Sequence, residues 1–245
     1  MPRKPRQFIN GEIYHIVLRR VGNELLFGDV DDYYRMIFYI YECNTTKPVL
    51  IRERRKAREK YKKMIRGLTP DKIPEWKDER EHLVEVLAFC LMPNHIHLLL
   101  RQLKDNGISK YIQKIAAGYA AYFKNKYGIK LRGHFFQDRF SATLIENDEQ
   151  LRVVFTYIHT NPVELVEPGW KDLKVEDEKR AIEFLKSYKW SSYLDYLGEK
   201  NFPSVTQRDF LLEVMGGKEG CQKWVGDWIA FKKGLKKLME TLSLE

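Results

Sequence analysis

β-Branched, aromatic and other apolar residues crowd the stretch from Glu12 to Arg20 (EIYHIVLRR), which predicts a strand. Asp29 to Asp32 then offer N-cap candidates for a helix whose apolar side carries Tyr33, Met36, Ile37, Ile40 and Tyr41. Val84 to Leu91 is a near-continuous apolar run, as in a central strand, and Met92-Pro93-Asn94 breaks it before a second run, His95 to Leu100. The two runs predict a hairpin. Helical spacing of Ile112, Ile115, Tyr119, Tyr122 and Phe123 predicts a helix from about Ser109 to Lys126, stopped at Gly128. A strand is expected near Arg139 to Ile145. Beyond it, Asn147 and Gln150 resemble a capping box for a helix with the stripe Leu151, Val154, Phe155 and Ile158. Pro162 disfavours helix in the residue before it, which ends this helix at Asn161.

The order β-α-β-β-α-β is that of the split βαβ, ferredoxin-like plait, an α+β fold with both helices on one face of the sheet. The other face is left for the helix that starts at Asn147. Two segments fall outside the plait. Residues 51–66, IRERRKAREKYKKMIR, set nine basic residues against Glu53 and Glu59, a local charge of +7 within a basic helical insertion at about 48–80. A C-terminal helical extension is expected over 166–245, with Thr206 capping the segment DFLLEVM and a last helix carrying Trp224, Trp228 and Phe231. Residues 1–165 thus form the main domain.

Composition narrows the function class. The chain has 245 residues, 44% of them hydrophobic, enough to bury a core and to exclude wholesale disorder. A formal charge of +9 and a pI near 9.3 favour a polyanionic partner. The longest purely apolar run, Val86 to Met92, is far short of the roughly 20 residues of a membrane span, and MPRKPRQFINGE has no apolar signal core. The expected location is cytoplasmic. Cys43, Cys90 and Cys221 are an odd number without metal-ligand spacing, which argues against a disulfide framework or a zinc ribbon.

Two places could carry chemistry. On a strand, the alternation of His95-Ile96-His97 turns both imidazoles to one face, where they can chelate one ion; two polar residues on a half-exposed face have the same pattern. In Thr156-Tyr157-Ile158-His159-Thr160-Asn161-Pro162, Tyr157 and Asn161 are four apart and share a helix face, whereas His159 lies about 200° around the axis from Tyr157. Asn161 is therefore the better partner for Tyr157. On spacing alone, packing residues and a helix end are the better account of these positions.

Taken in order, Tyr14-His15, Met92-Pro93-Asn94-His95-Ile96-His97-Leu98-Leu99-Leu100, Gly133-His134-Phe135-Phe136-Gln137-Asp138-Arg139-Phe140, Tyr157-Ile158-His159-Thr160-Asn161-Pro162-Val163 and Trp190-Ser191-Ser192-Tyr193 resemble single-tyrosine HUH transposases of the IS200-like group, most closely the REP-associated tyrosine transposases. The resemblance runs from about residue 3 to 198, interrupted around 51–80. It implies that 1–165 is a catalytic domain, that Tyr157 is the nucleophile, and that His95, His97 and Asn161 hold Mg²⁺ or Mn²⁺. Two neutral imidazoles and an amide oxygen suit such an ion with open positions better than a closed zinc site. The implied reaction cleaves single-stranded DNA, with a hairpin beside the cleavage site, through a 5′-phosphotyrosine intermediate. A homodimer is compatible with it. Two departures stand out: the basic insertion is longer than the family connection, and Phe136 occupies a position where tryptophan is common.

Phosphate contacts are expected from Arg3, Lys4 and Arg6 in a basic arm, from Arg52, Arg54, Arg55 and Lys56 in the insertion, and from Arg139. His15 and Gln137 are further candidates near the site, His15 fitting a packing role better. Phenols titrate near pH 10, so attack by a tyrosine needs a proton acceptor, which the sequence does not identify. Two other function classes compete. One is a catalytically inactive nucleic-acid-binding module on the same plait, distinguished by the absence of a covalent adduct. The other, a histidine-based cyclic phosphodiesterase, would require two separate H-x-[ST] motifs and ranks last.

Overall fold

Residues that alternate toward two different apolar layers build an antiparallel sheet in the order β2-β3-β1-β4. The strands are β1 (Ile13–Arg19), β2 (Val84–Met92), β3 (His95–Gln102) and β4 (Ser141–Ile145). The computed structural model describes residues 7–73, 78, 80–129, 133–137, 139–172 and 175–242. Arg3, Lys4, Arg6 and Asp138 lie outside them. The strand order and the β-α-β-β-α-β succession are those of the expected α+β plait.

Asp29 starts α1 (Val30–Glu42) with a capping box: its side chain accepts from the Asp32 N–H, and the Asp32 side chain accepts from the Asp29 N–H. Near its other end, buried Glu42 holds Arg54 and Arg58 at 3.6 and 3.5 Å. These two arginines belong to α2 (Ile51–Ile65), the basic insertion, which buries none of its own residues. α3 (Gly107–Tyr127) stops at Gly128, which sits at φ 63 with its N–H donating to the Lys124 carbonyl. α1 and α3 cover one face of the sheet, where Ile16, Leu18, Ile96, Leu98 and Leu100 meet Met36, Ile40, Ile112, Ile115 and Tyr119.

α4 (Asp148–Thr160) covers part of the opposite face, setting Leu151, Phe155 and Ile158 against Ile13, Leu87, Ala88, Cys90 and Leu99. Its cap is a variant of the expected box. Asn147 accepts from the Gln150 N–H at 2.9 Å, but Gln150 reaches back to the Glu146 N–H at 2.8 Å, one residue beyond the cap. After α4 come α5 (Glu178–Ser187), α6 (Tyr193–Tyr196), α7 (Asp209–Met215) and α8 (Gly217–Leu242). Tyr188, Tyr196, Leu211, Met215 and Cys221 from this region share the apolar layer beneath α4. No described helix is long and apolar enough to cross a membrane.

Two expectations are corrected. β4 starts at Ser141, not near Arg139, because the chain just before it is drawn to the end of β1: Phe136 pairs with Arg20, and the Gln137 N–H donates to the Arg19 carbonyl at 2.9 Å. Thr206 does not cap α7. Its hydroxyl instead accepts from the Arg208 guanidinium at 2.9 Å, and Arg208 occupies the cap position without a side-chain cap.

Asp32 joins the two helices of the first face. Its buried carboxylate accepts from the Gly28 N–H and from Tyr122, Lys126 and Tyr127 at 2.7–2.8 Å. Burial alone would raise its pKa, but the bonds from Lys126, Tyr127, Gly28 and Tyr122 hold it below the ordinary carboxylate value. A depressed folded-state pKa adds stability above the unfolded value near 3.8 and loses it as pH falls through the folded one. Asp32→Ala should therefore cost about 3 kcal/mol at pH 7, leaving Lys126 and two hydroxyls short of an acceptor. Urea titrations of variant and wild type should show that deficit shrinking as both are taken below about pH 4.

Candidate active site

Strand alternation sends Ile96, Leu98 and Leu100 into the α1/α3 layer, so His95, His97 and Leu99 face α4. Register completes the picture. β1 runs antiparallel beside β3 with Arg19 opposite His95, Val17 opposite His97 and His15 opposite Leu99, which puts Arg19 and His15 on the histidine face. On the far side, Thr143 of β4 stands opposite His15 and Ser141 opposite Val17, both exposed. The floor of the site is thus polar and open where α4 does not cover it.

The imidazoles form a row. His95 Nε2 lies 3.0 Å from His97 Nε2, and His97 Nδ1 lies 2.9 Å from His15 Nε2. At the other end, His95 Nδ1 is 2.6 Å from the Asn94 amide oxygen. An amide oxygen only accepts, so the proton sits on His95 Nδ1 and its Nε2 presents a lone pair. Burial pushes the His15 pKa down to about 4, which keeps this ring neutral at pH 7 and able to accept from His97 Nδ1–H. Both Nε2 atoms then carry lone pairs, 3.0 Å apart. Two donors about 2.1 Å from an octahedral Mg²⁺ lie roughly 3 Å apart along an edge, the separation found here. Asn94 and His15 occupy the places from which groups behind metal-bound histidines usually fix their tautomers.

Tyr157 closes the site from above. Its ring stands edge-on to His97 at 5.6 Å and to His15 at 5.9 Å, and the residue is 42% exposed. One turn later Asn161, 3% exposed, donates its amide N–H to the Tyr157 carbonyl at 2.7 Å. That bond orients the amide by its nitrogen, and the oxygen is the atom a hard cation would take. His95, His97 and Tyr157 are therefore gathered at one place, with Asn161 tied to the backbone of Tyr157.

His159 points the other way. It is fully buried, donating Nδ1–H to the Phe155 carbonyl and accepting at Nε2 from the Ser192 hydroxyl, each at 2.9 Å. Ser192 in turn accepts from the Phe89 N–H at 3.0 Å. The Trp190-Ser191-Ser192 stretch pairs with the outer edge of β2, through Leu91 N–H to the Trp190 carbonyl and Ser192 N–H to the Phe89 carbonyl. This motif holds α4 over the sheet. The Gly133–Phe140 motif has a comparable structural share, Phe135 and Phe136 being buried in the α1/α3 layer.

The phosphate-contact candidates separate. Arg52, Arg55 and Lys56 are exposed on α2, Arg54 is engaged by Glu42, and Arg139 is exposed before β4. Sequence reasoning missed Arg19 and Asn94. Arg19 is set beside His95 by cross-strand register, a relation no single segment displays; Asn94 directly precedes the histidine pair in the turn and could have been read as its partner.

Burial drives the His159 pKa from 6.5 down to about 3, although the Phe155 carbonyl opposes the shift. The unfolded chain then binds a proton that the folded chain refuses, so stability is present above about pH 6.5 and declines as pH falls toward 3. His159→Gln should cost about 1–3 kcal/mol at pH 7 and flatten that decline. Urea midpoints of wild type and variant between pH 7 and 4 test both statements; His15 has the same sign, so the flattening is partial.

Residues 49–161 match the family model described as Transposase IS200 like. A solved structure described as the REP associates tyrosine transposase bound to a REP hairpin is 19% identical, covers 85% of this chain and 93% of that chain, and superposes with a TM-score of 0.43. No curated protein matches the chain. The matched span contains β2, β3, α3, β4 and α4 with His95, His97, Tyr157 and Asn161, and over that span the chain is similar to IS200-like transposases.

Proposed function

We propose that the protein is a metal-dependent single-stranded DNA nuclease and strand transferase, a transposase that cleaves through a 5′-phosphotyrosine. The observation that carries this reading is the placement of the exposed Tyr157 ring edge-on to His97, whose Nε2 lies 3.0 Å from that of His95. The match to IS200-like transposases supports it. His95 and His97 would hold Mg²⁺ or Mn²⁺ through Nε2, with the Asn161 amide oxygen as third ligand. When bound, the ion polarises a non-bridging phosphate oxygen and offsets charge that builds in an in-line displacement.

The chain's own groups do the rest. Asn94 and His15 hold the two imidazoles in the tautomers that leave Nε2 unprotonated. Arg19, beside His95 on the same face, gives a cation for a second phosphate oxygen. The Tyr157 oxygen attacks phosphorus, the bond from phosphorus to the 3′ oxygen breaks, and the leaving oxygen takes a proton from solvent to become a free 3′-hydroxyl. His15 Nε2 is occupied by His97, so the phenol proton passes to solvent, which Tyr157 meets. Reversal by a new 3′-hydroxyl joins strands without an external energy source. The partner is single-stranded DNA with a hairpin beside the cut, as the resemblance to single-tyrosine transposases implies.

Tyr157→Phe removes only the nucleophilic oxygen, so hairpin binding and fold should survive while cleavage and the denaturant-resistant protein–DNA adduct vanish. Mass spectrometry of the nucleotide-bearing peptide checks this; an adduct on another tyrosine, or undiminished cleavage, would leave a nucleic-acid-binding module as the better account. Separately, calorimetric titration with Mn²⁺ should give binding that disappears in His95→Ala, His97→Ala and weakens in Asn161→Ala. Loss through His159→Gln with Asn161→Ala unaffected would assign the third ligand wrongly.

A further inference from the structure

α1 carries a second apolar stripe at the margin of the core. Tyr34, Ile37, Phe38 and Tyr41 recur at i, i+3, i+4 and i+7, forming one stripe along the helix. α2 answers with the same spacing in Arg58, Tyr61, Lys62 and Ile65. The stripes do not close on each other. A cleft of about 720 Å³ lies between them, floored by Phe202 and its neighbours. Its size is that of a ligand pocket, for which roughly 300–1,000 Å³ is usual.

The lining selects the occupant. Aromatic rings supply flat apolar surface, two cations stand on the α2 wall, and the described lining includes no carboxylate. Arg58 leans over the rings of Phe38 and Tyr41 at 5.6 and 5.3 Å, with Glu42 holding its guanidinium from behind at 3.5 Å. Tyr34 is 45% exposed and receives a hydrogen bond from Lys189 at 2.7 Å, which adds a third cation at the rim. An apolar peptide would cover Lys62 and the open side of Arg58 without giving them an anion, and an acidic one would leave the rings unused. A nucleotide satisfies both, since its base is flat and its phosphate is anionic.

We infer that this cleft binds an unpaired nucleobase of the DNA strand, stacked against Tyr61 and Tyr34, with the flanking phosphates on Arg58 and Lys62. It lies on the α1 side of the sheet, opposite the face of His95 and His97, so it takes a part of the strand other than the one being cut. The inference rests on the proposed single-strand activity but concerns separate residues. Among the function's candidates it makes the basic insertion a reader of unpaired bases rather than only a charged surface.

The test uses the full chain and single-stranded oligonucleotides in which 2-aminopurine is moved through each position, without divalent metal. One position should be quenched by wild type and by Tyr61→Phe but not by Tyr61→Ala, which should bind roughly tenfold more weakly. 5-Iodouracil at that position should crosslink to the peptides of Tyr34 or Tyr61. Lys62→Gln, an exposed change that spares packing, should lower the salt slope of binding by about 0.7. Unaltered quenching and affinity in Tyr61→Ala, with the Tyr157 adduct still forming when metal is added, would overturn the inference and leave the proposed activity standing. Failure of wild type to bind any oligonucleotide or to form the adduct would overturn both.

Discussion

The two-sidedness of β3 is the constraint from which the rest of the structure follows. Every second residue of this strand enters the layer shared with α1 and α3, and the residues between them make the floor beneath α4. Burial of Ile96, Leu98 and Leu100 therefore also aims His95 and His97. Because β3 lies between β1 and β2, its register is fixed from both sides, and a slip of one residue would exchange the two faces. Folding energy and site geometry are secured by the same contacts.

A second requirement is that α4 stay at one height over that floor. Its apolar stripe gives the general placement, but apolar packing is tolerant of small shifts. The chain from His159 through Ser192 to Phe89 adds direction, because a buried imidazole with two fixed partners cannot slide without losing a hydrogen bond. His159 and Tyr157 thus divide the labour of one helix: one locks it to β2, and the other hangs over the imidazoles. The same Trp190-to-Ser192 stretch pairs with the outer edge of β2, which would otherwise present unpaired backbone to solvent.

Much of this was readable in the sequence because it depends on local periods. Period two in His95-Ile96-His97 and the four-residue interval between Tyr157 and Asn161 placed these residues on the faces they occupy, and the 200° offset of His159 put it in the core. What escaped depends on distant segments. Arg19 joins His95 only through strand register, and β4 begins late because Phe136 and Gln137 are captured by the end of β1. The expected cap at Thr206 failed for a similar reason: Arg208, two residues on, claims its hydroxyl. The apolar side of α1 read from the sequence was the core side, and nothing in that helix alone announces that Tyr34 and Phe38 would face α2 across a gap.

α2 is attached in an unusual way. It buries no residue of its own, and Arg54 and Arg58 tie it to Glu42 at 3.6 and 3.5 Å. A helix so held draws little on the cooperative core and opens at a free energy well below that of global unfolding. Its backbone amides should exchange with solvent long before those of β3, and sooner still in concentrated salt, where the two ion pairs are screened. Whatever settles against α2 must therefore also meet the cost of holding it in place. That lowers affinity and quickens release, which suits the strand transfer proposed above.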